Sequence, residues 1–337
     1  MRVEFRISFL AYFVSTMERL RFIISRDIII SRNQSEDCLG GRILLIIIVL
    51  LCLLSVITFI LFGTDKQRAL KHKWRIPERT LLFFSVFGGI GGLLGMLFFH
   101  HKTRKLRFKI LVPIFAFVDA AVLAFFLYAS VYYAADASAA DAMQSDSVVA
   151  VEKTDTGWLF DGPADEKVLI FYPGAKVDET AYAPLLHRLA EEEMDVYLVK
   201  MPLHFAFLGI NKAGEIMDHS DYDRYYVGGH SLGGAMAAEY AAEHESDLAG
   251  IILFAAYPTK KTNLDTLLIY GSEDGVLNMQ CVEGASDLVS GRFQEIVIDG
   301  GNHALFGNYG EQKGDGQAQI SGEEQQEQVV RAVREFV

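Results

Sequence analysis

Cysteine is scarce in this sequence, which contains three among its 337 residues. Cys281 is the single cysteine of the second half of the chain, and Cys52 lies within a long apolar run. The sequence therefore predicts no disulfide framework, and the cysteines do not indicate on which side of a membrane the chain resides.

Charged side chains are missing from long apolar segments of the first half. Residues 43–62 and 81–99 contain no Asp, Glu, Lys or Arg, and the third segment is interrupted only by Asp119 and Pro113. About 20 apolar residues in a helix cross the ~30 Å of hydrocarbon in a bilayer. We therefore predict an all-helical transmembrane region over 43–135, with spans near 43–62, 81–99 and 110–134.

The second and third of these segments each carry an unusual residue type. Five glycines lie between residues 88 and 95. They favour close contact between helices, although the basic clusters on both sides would also fit a re-entrant segment. Asp119 is costly in lipid, so we expect it to face a partner helix or water, with a proton-binding role as the alternative.

Basic residues are rare in the second half of the chain. Residues 1–134 carry 18 Lys/Arg and 8 Asp/Glu, whereas residues 135–337 carry 13 and 35. This asymmetry predicts two parts in two environments, and the acidic second part argues against a nucleic-acid partner. Residues 136–147 are mostly Ala, Asp and Ser, which predicts a flexible acidic linker before a domain over 148–337.

The distribution of basic residues around the spans predicts an orientation. Residues 1–42 are basic and lack a cleavage site after a proper apolar core, which indicates a membrane-proximal extension and not a cleaved signal peptide. Five Lys/Arg lie between His100 and Lys109, and none follows the third span until Lys153. The positive-inside rule then predicts an integral plasma-membrane protein with its second half outside the cytoplasm.

Strand and helix patterns alternate in the second half, which predicts an α/β fold with a doubly wound, mostly parallel sheet and an antiparallel edge at its start. The segment 255–265 is too short for a lid domain. We therefore expect an open site flanked by the loop 202–222. Phe205, Phe207 and Leu208 of this loop cover the edge of the core or contribute to an acyl pocket.

The motif Gly229-His230-Ser231-Leu232-Gly233 carries the most chemical information. It follows a short apolar run and precedes small, helix-forming residues. A serine hydroxyl becomes a nucleophile when it is held rigidly and gives up its proton. A sharp strand-to-helix turn with small residues on both sides holds it in this way. The motif predicts Ser231 as a nucleophile, and a glycine-rich loop without chemistry is the alternative.

A serine nucleophile needs a base and an orienting acid, which follow it in this order: serine, acid, histidine. Asp274 and His303 each follow an apolar run that reads as a strand, so both are expected at the sheet edge that carries Ser231. Glu273 is the alternative acid. His230 precedes the serine, but we expect its side chain on the opposite face of the strand, in a packing role.

The negative oxygen that forms during acyl transfer needs two backbone N–H donors. One is expected from Leu232, the residue after the nucleophile. The other is expected from the loop Pro173-Gly174-Ala175-Lys176. Gly174 lets the chain turn inward, so we favour Ala175, with Lys176 as the alternative.

Residues 148–337 resemble an α/β-hydrolase of the small dienelactone-hydrolase or carboxylesterase type. The matching pieces are Tyr-Pro-Gly-Ala at 172–175, Gly-His-Ser-Leu-Gly-Gly at 229–234, Tyr-Gly-Ser-Glu-Asp at 270–274 and Gly-Gly-Asn-His at 300–303. The resemblance implies a triad of serine, aspartate and histidine. It does not imply a substrate, because this fold hosts many chemistries.

A second resemblance covers residues 45–115, which look like a family of small bacterial membrane domains of unknown function. The matching pieces keep their order and spacing: Asp65-Lys66, Trp74-Arg75-Ile76-Pro77-Glu78, the Gly-Gly-x-Gly-Gly run and His101-Lys102-Thr103. This resemblance implies no activity.

Together these features predict a bacterial, membrane-anchored serine hydrolase that cleaves a carboxylic ester or a related acyl bond through an acyl-enzyme on Ser231. Neither a metal nor a cofactor is expected. The expected partners are membrane lipid and a small-molecule, lipid or envelope acyl substrate. An acyltransferase with the same triad and a non-catalytic binding module tethered to the membrane are the alternatives.

Overall fold

The computed structural model describes residues 37–337, except Asp165 and Glu193. The expected basic extension over 1–42 lies almost wholly outside these residues. The chain divides into two compact units, Met1–Ser130 and Val131–Val337.

The described part of the first unit is helical. Its helices are α1 Asp37–Leu70, α2 Glu78–Phe87, α3 Gly89–Phe98 and α4 Leu106–Ala129. Two stretches are long and apolar enough to cross a membrane by length and composition, Leu45–Leu70 and Leu106–Ala129.

The expected middle span is broken in the structure. The segment 81–99 is divided between α2 and α3, which are ten residues each and too short to cross a bilayer singly. The backbone leaves the helical conformation at Gly88 (φ −135°, ψ 37°). The Asp119 carboxylate of α4 accepts a hydrogen bond of 2.7 Å from the N–H of Gly89, so this acid caps the start of α3. Asp119 thus faces a partner helix, and the cap accounts for its presence in an apolar segment.

The glycines of this segment allow α3 to lie against α1. A Cβ atom on Gly91 would be 1.7 Å from the carbonyl oxygen of Ser55, and one on Gly88 would be 2.4 Å from Oγ1 of Thr58. Larger residues at these positions would push the two helices apart.

The second unit is built on one eight-stranded sheet. Its strands are β1 Ala150–Lys153, β2 Gly157–Asp161, β3 Lys167–Tyr172, β4 Asp195–Val199, β5 Arg224–His230, β6 Gly250–Phe254, β7 Thr266–Gly271 and β8 Phe293–Ile298. They follow the order β1-β2-β4-β3-β5-β6-β7-β8. The first two strands pair antiparallel at the edge, as the sequence predicts, and the strands from β4 to β8 are parallel.

Helices and two apolar cores cover the faces of this sheet. The helices are α5 Ala137–Ala142, α6 Ala183–Glu192, α7 Lys212–Met217, α8 Leu232–Ala241, α9 Met279–Glu283 and α10 Gly322–Phe336. The chain passes from β3 to β4 on one side and then to β5 on the other side of β3. The loops that leave β3 and β5 therefore meet at the point where the strand order reverses, which is where α/β sheets bind their ligands.

The segment expected to be a flexible acidic linker is ordered on the second unit. Tyr133 forms an isolated parallel bridge with Val177. Asp136 caps α5, and its N–H donates to the carbonyl oxygen of Asn308 over 2.8 Å. The composition concealed this order because the segment docks mainly through caps and backbone hydrogen bonds. Ala139 is its one fully buried side chain, 1% exposed, and Tyr133 and Met143 are partly buried against the core.

Candidate active site

Ser231 stands at the sharp turn between β5 and α8. Its backbone has φ 53° and ψ −125°, a region that is costly for a residue with a Cβ atom. The turn also needs small neighbours. A Cβ atom on Gly229 or Gly233 would lie 2.2 Å from the carbonyl oxygen of Tyr172. The local geometry is therefore that of a nucleophile turn, with the serine at the carboxyl end of the central strand.

Asp274 and His303 are brought together by the turns that follow β7 and β8. The Nδ1–H of His303 donates to Oδ2 of Asp274 over 2.8 Å, and both side chains are buried. The other carboxylate oxygen, Oδ1, accepts from the backbone N–H groups of Val276 and Leu277 at 2.9 and 2.8 Å. These bonds fix the carboxylate, and the carboxylate in turn fixes the orientation of the imidazole.

The second ring nitrogen of His303 is free to accept a proton. Nε2 is buried and has no hydrogen-bond partner among the residues that the structure describes. With Nδ1 donating to Asp274, Nε2 carries the lone pair of the neutral ring. A buried polar atom without a partner is uncommon, and at a catalytic site it is expected of the base.

In the loop 174–176 after β3, one backbone N–H is available to bind an oxyanion. The N–H of Gly174 donates to Oη of Tyr182 over 3.1 Å, and the N–H of Lys176 donates to the carbonyl oxygen of His204 over 2.9 Å. Ala175 lies between them, and its N–H has no partner among the hydrogen bonds of the described residues; the same holds for Leu232, the first residue of α8. Lys176, the alternative to Ala175, is thus already occupied.

His230 is a hydrogen-bonded residue and not only a packing residue. It is 1% exposed. Its Nδ1 lies 2.8 Å from Oη of Tyr182, and its Nε2 lies 3.1 Å from the carbonyl oxygen of His303. Burial lowers the pKa of His230 well below its ordinary value, and the neighbouring His303 lowers it further. His230 therefore connects the loop after β3 to the loop that carries His303.

Asp315 also belongs to the site, although the sequence analysis missed it. Its Oδ2 accepts from the N–H of Ala304 at 2.8 Å, and its Oδ1 accepts from those of His303 and Gly275 at 3.2 and 3.1 Å. One carboxylate thus joins the His303 loop to the turn after Asp274. The signal in the sequence was weak, a single aspartate between Gly314 and Gly316.

The remaining candidates are Glu273 and three residues of the loop 202–222. Glu273 accepts from Nε2 of Gln319 at 3.0 Å and makes no described contact with His303. Phe205 is buried against Phe207, with ring centroids 5.2 Å apart, whereas Phe207 and Leu208 are exposed.

Among the described residues, one group has metal-ligand character, Asp146, His187 and Glu191. The two ring nitrogens of His187 lie 3.7 Å from the Asp146 carboxylate and 3.3 Å from the Glu191 carboxylate. The ring is thus already shared between two carboxylates. None of the three predicted triad residues belongs to this group.

The mixed sheet, with its serine at a strand-to-helix turn and its acid and histidine on the next loops, has the architecture of the α/β-hydrolase class. Residues 168–327 match the alpha/beta hydrolase family, and residues 55–108 match a family described as a protein of unknown function, DUF1294. The chain thus carries an alpha/beta hydrolase domain in its second unit and a DUF1294 domain in its first.

One curated relative and several solved structures are similar to parts of this chain. The chain is 41% identical over 83 residues to the uncharacterized protein YsdA of Bacillus subtilis, covering 24% of this chain and 93% of that protein. A CIB-like hydrolase from Thermoplasma acidophilum has 14% identity and a TM-score of 0.42 over 56% of this chain and 99% of its own. A dienelactone hydrolase from Anabaena variabilis has 14% identity and a TM-score of 0.40. This match covers 57% of this chain and 96% of that hydrolase.

Proposed function

We propose that this protein is a serine hydrolase that cleaves a carboxylic ester or a related acyl bond through an acyl-enzyme on Ser231. One observation carries the proposal. Nε2 of His303 is buried and unpartnered, Nδ1 of the same ring is held by Asp274, and Ser231 occupies the strained turn next to His230. This arrangement supports a base whose reactive nitrogen is reserved for a proton from the nucleophile.

The geometry supports the following steps. Ser231 Oγ attacks the acyl carbon while its proton passes to Nε2 of His303. The N–H groups of Leu232 and Ala175 stabilise the negative oxygen of the tetrahedral species. His303 then returns the proton to the leaving group as the bond to it breaks. Water attacks the acyl-serine in the same way, with His303 as base, and releases the carboxylic acid and the free serine.

We further propose that the chain is anchored in a bacterial plasma membrane and acts on a small-molecule, lipid or envelope acyl substrate. The two apolar helices Leu45–Leu70 and Leu106–Ala129 support the anchoring. The charge asymmetry supports two environments, because 35 of the 43 acidic residues lie after residue 134.

The nucleophile is tested with a fluorophosphonate probe and a short-chain ester. The parent should be labelled at Ser231, and Ser231→Ala should lose labelling and about four or more orders of magnitude in kcat. Ser290→Ala is the matched control, because Ser290 is exposed and makes only backbone hydrogen bonds in the structure. Equal turnover by Ser231→Ala and the parent would contradict the proposal.

The same assay tests the acid. Asp274→Asn should keep the fold and lower kcat by about three to four orders of magnitude, because an amide cannot hold the imidazole in the required tautomer. Glu273→Gln is the matched control and should change kcat little. The reverse pattern would transfer the role to Glu273.

A further inference from the structure

The charged residues of the DUF1294 domain form an ionic cluster at one end of its helices. Oδ2 of Asp65 lies 2.7 Å from Nε2 of His101, and Oδ1 accepts from the N–H of Ile76 at 2.9 Å. Lys102 and Lys105 both bind the Glu78 carboxylate, and these two hydrogen bonds lower the pKa of Glu78 to about 2. These residues hold the helix ends together.

Trp74 of the same motif has no such role. It is 89% exposed, so it contributes almost nothing to packing. It lines a shallow cavity of about 550 Å³ that is open to the surface, together with Thr64, Gln67, Arg68, Lys71 and Lys73. The cavity wall contains no acidic side chain, and none of its three cations forms an ion pair among the residues that the structure describes. The cations of the cluster are thus neutralised, whereas those of the cavity are not.

The cavity lies where the first apolar run ends. Phe62 is the last residue of that run, and Thr64 and Leu70 follow it within α1. At a rise of 1.5 Å per residue, this stretch extends from about 3 to about 12 Å beyond the run. The headgroup layer occupies roughly 5–8 Å on each side of the hydrocarbon. With the run in the hydrocarbon, the cavity lies at the depth of lipid phosphates.

The chemistry of the wall fits one ligand class. Arg and Lys bind phosphate oxygens through charge-assisted hydrogen bonds, and an exposed Trp ring is suited to the membrane–water interface. Thr64 and Gln67 offer uncharged polar groups for hydroxyls. The choline group of a zwitterionic lipid would add a fourth positive charge to the three cations of the cavity. The headgroup of an anionic lipid adds a net negative charge, so the cavity favours the anionic lipid.

We propose that this cavity binds the headgroup of an anionic phospholipid, with Arg68, Lys71 and Lys73 on the phosphate and Trp74 beside it. The site rests on the membrane anchoring proposed above. The lipid is favoured over a soluble phosphate because the cavity follows directly on a hydrocarbon-length helix.

The test uses the full chain in lipid nanodiscs. The chain has two tryptophans, so Trp158→Phe leaves Trp74 as the single tryptophan, which is excited selectively over the tyrosines. Discs of phosphatidylcholine contain a fixed fraction of brominated phosphatidylglycerol or of brominated phosphatidylcholine. We expect the brominated anionic lipid to quench Trp74 at least about twofold more strongly. The triple variant R68Q/K71Q/K73Q should lose this preference.

A matched variant separates the site from general surface charge. R104Q/R107Q/K109Q removes three exposed cations that also form no ion pair in the described part of the chain, and it should keep the preference. Both disc faces are accessible, so a change of orientation cannot imitate the result. Equal loss in the two variants, or equal quenching by the two lipids, would overturn the proposal. Loss of the preference on adding millimolar inorganic phosphate would assign the cavity to a soluble anion instead.

The two proposals fail separately. Extraction of the parent from bacterial membranes by alkaline carbonate would refute the anchoring. Retention in the membrane without a lipid preference would refute the headgroup site alone. Hydrolase activity and thermal unfolding of the triple variant should equal those of the parent, which shows that the fold is retained.

Discussion

His230 shows how a single residue can hold two loops of a site. The carbonyl oxygen of His303 can only accept, so Nε2 of His230 carries the hydrogen, and Nδ1 accepts from the hydroxyl of Tyr182. That hydroxyl in turn accepts from the N–H of Gly174. Every polar atom of this buried chain is satisfied when His230 is neutral, and protonation of Nδ1 would leave the hydroxyl hydrogen of Tyr182 without its acceptor.

A pH dependence of stability follows from this neutral histidine. The folded pKa lies well below the ordinary value of 6.5, so below pH 6.5 the unfolded chain binds a proton that the folded chain excludes. The stability that His230 contributes is present above this pH. It is lost at up to about 1.4 kcal/mol per pH unit as the pH falls toward the folded pKa.

Urea unfolding between pH 7.5 and 5 measures this effect. His230→Phe should lower stability at pH 7.5 and remove this part of the acid-dependent loss. His219→Gln is the control, because His219 is exposed, and it should keep the slope of the parent. If the free energy of unfolding fell equally steeply with pH in the parent and in His230→Phe, another group would be responsible for the loss.

At the scale of elements, the strands that lead to the site were predictable because each is a short apolar run closed by a turn. The apolar run before Asp274 is β7, and the one before His303 is β8, as the sequence predicts. The contacts between elements were not predictable. Asp315 is 40 residues from Gly275, and the amide of Lys176 is occupied only because the loop of His204 folds over it. Such partners depend on tertiary packing, which local sequence does not contain.

The apolar spacing of residues 279–290 predicts one helix, and the structure interrupts it for a local reason. The structure has α9 over Met279–Glu283 and then a separate turn over Ser286–Leu288. Gly284 ends α9 and weakens the helix between the two pieces. Apolar spacing alone did not reveal this stop.

The segment 131–146 should behave as part of the second unit. The N–H of Tyr133 donates to the carbonyl oxygen of Lys176 at 2.7 Å. The carbonyl oxygen of Tyr133 accepts from the N–H of Asp178 at 2.8 Å. The segment therefore supports the loop that carries Ala175. A fragment of residues 148–337 lacks these bonds and the buried Ala139. It should be less stable than the fragment 131–337 by about 2–4 kcal/mol.

Thermal unfolding and ester hydrolysis of the two fragments measure this difference. The shorter one should melt about 5–15 °C lower and should have a lower kcat. A third fragment, in which a Gly/Ser sequence of equal length replaces residues 131–146, should behave like the shorter one. Equal melting temperatures for all three would show that the segment contributes no stability.

For the whole molecule, charge predicts the side of the membrane. Five Lys/Arg between His100 and Lys109 should remain in the cytoplasm, and the segment after α4 has none until Lys153. Alkaline phosphatase fused after Val337 should be active, and a fluorescent cytosolic reporter at the same place should be dark. Phosphatase fused after Thr103 is the control and should be inactive. If the second unit were protected from protease in intact spheroplasts, the orientation would be the opposite of the predicted one.

The backbone at Ser231 bears on how much stability the site costs the fold. A residue with a Cβ atom in such a conformation costs of order 1–3 kcal/mol, and glycine would relieve much of that cost. Natural proteins have a small margin of stability. A tethered binding module without catalysis would therefore gain stability from glycine at this position. The strained serine thus supports the proposed role of its hydroxyl as the nucleophile.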